Sequence, residues 1–181
     1  MRELSESELY KALEYARNLD EIAGRQIIYQ FQVDQPALAQ TIFAVFQAQI
    51  AEQDESMAHN FMDLCFDVIC VFAHAFGPLP SQNAMGFDWL EKSAVLLDTE
   101  LQALMTDIPM DAKIRDKLQN RFLERVIESN SQAGLIKFMN DSIDEFASEN
   151  PVRVKAIRIT QTMIFVVIQL FSAMHDQANK K

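Results

Sequence analysis

Asn60-Phe61-Met62-Asp63-Leu64-Cys65-Phe66-Asp67-Val68-Ile69-Cys70-Val71-Phe72 is the stretch on which the fold turns. It contains no Gly or Pro, and Phe61, Met62, Leu64, Phe66, Val68, Ile69, Val71 and Phe72 cover most of a helical circumference instead of alternating as a strand would. A helix that is apolar nearly all round has to be enclosed by others. Asp54 is placed to cap it and Gly77-Pro78 to end it, so the pattern predicts a central helix over about 55–76.

A second segment of this kind lies near the other end of the chain: Met163-Ile164-Phe165-Val166-Val167-Ile168, resuming after Gln169 as Leu170-Phe171. A bilayer span needs ~20 apolar residues, and Arg158 and His175 bracket a shorter run than that. It reads as a helix buried inside the protein, opened by Asn150-Pro151 and running over about 151–178. No membrane association is expected.

Between and around these two, the remaining helices follow from apolar spacing and from breakers. Leu9, Leu13, Ala16, Ala23, Ile27 and Phe31 hold one stripe from about Ser7 to Gln32, with Gly24 inside it or marking a bend. Asp34-Gln35-Pro36 starts a second helix, about Pro36 to Glu52, burying Leu38, Ile42, Val45, Phe46 and Ile50. Residues 77–86 form the clearest loop. Asp88 with Glu91 resembles a capping box for a helix from Trp89 to about Thr106, and Asp111 caps another reaching Ser129 with Ile114, Leu118, Phe122 and Val126 inward. Ser131 is placed to cap a sixth, with Leu135, Phe138, Met139, Ile143 and Phe146 inward. With only 4 Gly and 5 Pro and no internal repeat, the expectation is an all-α, single-domain bundle of about seven helices over residues 1–181, two of them central.

Composition narrows function mainly by exclusion. A net charge of −10 repels a phosphate backbone, so nucleic acid is a poor partner. That charge is uneven: residues 1–50 carry 4 basic and 7 acidic side chains, 51–110 carry 1 and 10, and 111–181 carry 11 and 9. Cys65 and Cys70 are five apart on one helix and so point about 140° away from each other, which rules out a disulfide between them. Their neighbours are apolar, which makes them buried, inert thiols. The acidic start, Met1-Arg2-Glu3-Leu4-Ser5-Glu6, is not a secretory signal. A cytoplasmic location is expected.

Several groups of residues are candidates for chemistry or binding. His59, Asp63, Asp67 and His74 fall within about 80° on the central helix, and His and Asp are metal ligands and acid–base groups. From His59 to His74 is about 22 Å along the axis, so the stripe cannot close on one ion, and a solvated seam accounts for it. The Glu-x-x-His pairs of two-metal bundles, the Gly-x-Ser-x-Gly nucleophile turn and a Gly-rich phosphate loop are all missing from the sequence. No catalytic residue, cofactor or metal is therefore assigned. Lys113, Lys117, Arg121 and Arg125 recur at four-residue spacing as a basic ridge that fits an acidic partner surface, including that of a second copy. Met85, Phe87 and Trp89 are a second candidate contact, since Met and aromatic side chains dominate interface energetics.

By elimination, the sequence reads first as a non-enzymatic helical protein acting through protein–protein contacts: a regulator, adaptor, immunity-type inhibitor or self-associating subunit. Its partner would be another protein or a second copy. The 13 Phe and 9 Met support an alternative, an apolar small-molecule binding domain with a Phe/Met-lined cavity between the central helices. A third reading is a metal-dependent enzyme using His59 and Asp63.

Overall fold

The computed structural model describes residues 1–86, Glu91 and 132–178. Apart from Glu91, the helices predicted over 89–106 and 111–129 lie outside these residues. The described chain is an all-α bundle: α1 (Glu6–Arg17), α2 (Glu21–Asp34), α3 (Pro36–Gln40), a π-helical turn (Thr41–Phe46), α4 (Gln47–Ala51), α5 (Glu55–Phe76), α6 (Gln82–Met85), α7 (Ala133–Glu149) and α8 (Val154–Ala178).

α5 and α8 are the two central helices. Phe61, Val68, Val71 and Phe72 of α5 and Met163, Val167, Ile168 and Phe171 of α8 are all fully buried. α1 packs along α5, α7 lies against α8, and α4 completes the enclosure of α5. Phe171 ties the layers together, its ring 5.3 Å from that of Phe72 and 5.6 Å from that of Phe31 on α2. By length and composition both central helices would reach across a membrane, and over half of each one's most apolar window is buried within the protein.

Local chemistry explains most of the boundaries and corrects three of them. The stripe read as one helix over 7–32 is two helices. Ser5 and Glu8 form a capping box for α1, and Asp20, in extended backbone, accepts a hydrogen bond from the Ala23 amide at 2.8 Å to start α2 afresh. The last helix opens at Val154, three residues beyond Pro151. Asn150 instead closes α7, its side-chain amide donating to the Phe146 carbonyl at 2.8 Å while its own carbonyl accepts from Val152. Within the loop over 77–86, Ser81 caps the short α6.

The helix predicted over 36–52 is continuous but not uniformly α. Through Thr41–Phe46 it widens to π geometry. Ile42, Phe46 and Ile50 stay buried on its inner side, whereas Val45, read from the sequence as a core position, is 46% exposed. A π turn takes more than four residues, so the four-residue spacing from Ile42 to Phe46 keeps those two facing the core while Val45 rotates outward.

Candidate functional site

The polar stripe of α5 divides among separate surroundings. His59 is exposed and borders an open depression of about 740 Å³ between the start of α5 and the α7–α8 turn, where Glu52, Asp54, Ser56 and Arg153 also lie. Asp63 is exposed. Asp67 is half-buried, and loss of solvent raises its carboxyl pKa to about 6, with the Arg17 cation pulling it down and the Asp63 charge adding to the rise. His74 is exposed on its outer side and stacks on Tyr15 of α1, ring centroids 4.6 Å apart. Among the described residues no three His, Cys, Asp or Glu side chains come together as they would to hold a metal ion.

The thiols of Cys65 and Cys70 are both buried and unbridged. Burial raises both above the usual thiol value, that of Cys70 to about 12 with a further push from the Asp67 charge. A thiol held protonated in this way is a poor nucleophile. Met85 belongs to the core at 7% exposure. Phe87, Trp89 and the basic ridge Lys113, Lys117, Arg121 and Arg125 lie outside the described residues.

Two features that sequence reading passed over stand out. The first is the outward face of α2. Ile22, Tyr29 and Val33 are 77%, 65% and 55% exposed, and steps of seven and four residues put them within about 40° of one another. The opposite side of the same helix carries Phe31, 4% exposed and seated on the core. α2 is therefore apolar on two faces, and among the described residues the bundle uses only the one that carries Phe31. Beside the outer face, Leu19, Gly24, Ile28 and Gln32 border an open, largely apolar depression of about 430 Å³ that reaches the ring of Phe66 on α5. Gly24 faces that ring, and a Cβ there would meet it at 3.4 Å, an ordinary van der Waals contact. The spacing of Ile22, Tyr29 and Val33 was the available signal, overshadowed by the stronger stripe through Ala23, Ile27 and Phe31.

The second is a strap formed by Arg2, Glu3 and Leu4 across the start of α7. Gln132 is the N-cap residue of α7, and its side chain caps nothing in its own helix; Ser131, the expected cap, lies outside the described residues. Its amide turns to the strap, accepting from the Leu4 N–H at 3.1 Å and donating to the Arg2 carbonyl at 2.8 Å. One first-turn amide of α7 is satisfied from afar: Glu3 Oε1 accepts from the Gly134 N–H at 3.2 Å.

Compared with known proteins, the chain matches no family model, no curated protein and no solved structure.

Proposed function

We propose that this protein acts through protein–protein contacts, as a regulator, adaptor, inhibitor or self-associating subunit, and that the outward face of α2 is its contact surface. One observation carries this reading: Ile22, Tyr29 and Val33 stand exposed in a row on a helix whose other face is already committed to the core. Single exposed apolar residues are ordinary, whereas an aligned row beside an apolar depression offers a partner helix both an anchor stripe and a place to seat a side chain. Glu21 and Arg25, paired at 2.5 Å, and Asp34 form its polar border, as expected of an interface rim.

A photo-crosslinking residue at position 29 tests the reading in cells of native origin. A discrete protein adduct is expected, and it should be lost when Ile22 and Val33 are both replaced by Ser. Sedimentation over a wide concentration range tells a second copy from a different protein. Absence of any adduct, with the same protein shown to be folded, would sink the proposal.

A further inference from the structure

In the last turn of α8, His175 is only 5% exposed. Its imidazole stacks on the ring of Phe72, centroids 5.8 Å apart and planes 22° from parallel, and tilts against Phe76 at 5.8 Å. Nε2 is buried without a hydrogen-bond partner among the described residues. A neutral ring tolerates this with an unused acceptor, whereas a doubly protonated ring would bury a cation whose Nε2–H has no acceptor among the described residues. Burial accordingly lowers the imidazole pKa, against the opposing attraction of the Asp176 carboxylate.

The residues around His175 are also those on which the start of the chain rests. The Met1 ammonium pairs with Asp176. The Arg2 guanidinium lies 5.8 Å from the centre of the Phe76 ring and is held by both carboxylate oxygens of Glu8, at 2.8 and 2.6 Å. Among the described residues, the charge acting on the imidazole is that of Asp176 on its own helix; the Met1 ammonium pairs with that same carboxylate, and Arg2, countered by Glu8, lies over the Phe76 ring that the imidazole also touches. α5 presents the rings of Phe72 and Phe76; its own His74 is engaged with Tyr15.

We propose that His175 is an acid-sensitive latch for the first two residues: with the ring neutral they stay docked on Phe76 and Asp176, and a second proton on the ring releases them. The proton adds to the unprotonated ring nitrogen. The resulting imidazolium has to leave the Phe72–Phe76 box for water, and the anion nearest to it is Asp176. That carboxylate cannot serve both cations fully, so its hold on the Met1 ammonium weakens as the ring charges. The Gln132 anchor at Arg2 and Leu4 contains no titrating group, which confines the release to Met1 and the Arg2 side chain.

Methyl-labelled methionine and ring-labelled histidine in the full chain report both events in one NMR titration from pH 7.5 to 5. The Met1 methyl is expected to move from its docked shift to that of a free methionine with the same midpoint as the His175 ring, and to stay docked throughout in His175→Phe. An unmoved Met1 methyl while His175 titrates, or the same movement in His175→Phe, would overturn the proposal. Should His175→Phe fail to fold, the comparison of midpoints in the unaltered protein decides. Asp67 changes protonation in the same window, so Asp67→Asn has to preserve the coupling, and loss of coupling in that variant also overturns it.

Discussion

The side-chain amide of Gln132 takes the Leu4 N–H and gives to the Arg2 carbonyl, so that a single residue pairs with backbone about 130 positions earlier as a neighbouring strand would. It does so from a left-handed backbone conformation, φ 56°, which side chains other than glycine adopt at a cost.

Removing that amide leaves the buried Leu4 N–H without its acceptor, and Gln132→Ala is expected to cost ~2–3 kcal/mol. Gln132→Gly loses the same two hydrogen bonds but relieves the left-handed strain, and it is expected to be about 1 kcal/mol less destabilising than the alanine variant. Urea unfolding of the two proteins side by side checks the order; alanine equal to or better than glycine would mean the strain is not borne at this residue.

Asp67 sets a pH dependence of unusual sign for a carboxyl group. Its pKa rises from 3.8 to about 6 on folding, so between those values the native state holds the proton that the unfolded chain has lost, and stability falls as pH rises through the window. Above it, Asp67→Asn is expected to be the more stable protein by about 1–2 kcal/mol, an amount discounted because solvent still reaches the carboxylate. Near pH 4 the advantage should vanish. Thermal melts of both proteins at pH 4 and pH 7.5 give the comparison.

Core truncations in α8 should separate by burial. Ile168 is fully buried, and Ile168→Ala is expected to cost ~2–5 kcal/mol through the cavity it leaves. Phe165 is only partly buried, so Phe165→Ala should cost less despite removing a larger side chain. Denaturant midpoints at unchanged slope measure both, and a larger loss at Phe165 would place that ring deeper than the structure has it.

Neither cysteine should react in the native state. With both thiols buried and held protonated, alkylation by iodoacetamide at pH 8 is expected to proceed only as fast as the protein opens, and to become rapid in 6–8 M urea. Fast native labelling of Cys70 would show that α5 is accessible along its Asp67 side.

Much of the fold was legible because burial leaves its mark on spacing. The apolar circumference of Phe61–Phe72 and the run Met163–Ile168 call for enclosure by other helices, and both stretches are largely buried within the described bundle. Boundaries were read less well where capping outweighs periodicity: Leu13, Ala16, Ala23 and Ile27 stay in helical phase across Asp20, although the chain restarts there. Val45 was misplaced because the sequence does not announce that six residues wind with π rather than α pitch. The candidate site was least legible. His59, Asp63, Asp67 and His74 share a face, but whether they share surroundings depends on Arg17 and Tyr15 of α1, which the spacing along α5 does not contain. The strap was invisible for the same reason, because a glutamine's choice of a partner 128 residues away has no periodic signature.

That long reach also bears on how the chain comes to be folded during synthesis. Glu3 and Leu4 leave the ribosome far ahead of Gly134 and Gln132, the residues they dock against. α1 can settle on α5 once both helices have emerged, but the segment ahead of it stays undocked until Gln132 and Gly134 have followed. For that interval the Arg2–Leu4 segment is open to whatever acts on nascent chains, and the strap closes only after Gln132 and Gly134 have emerged.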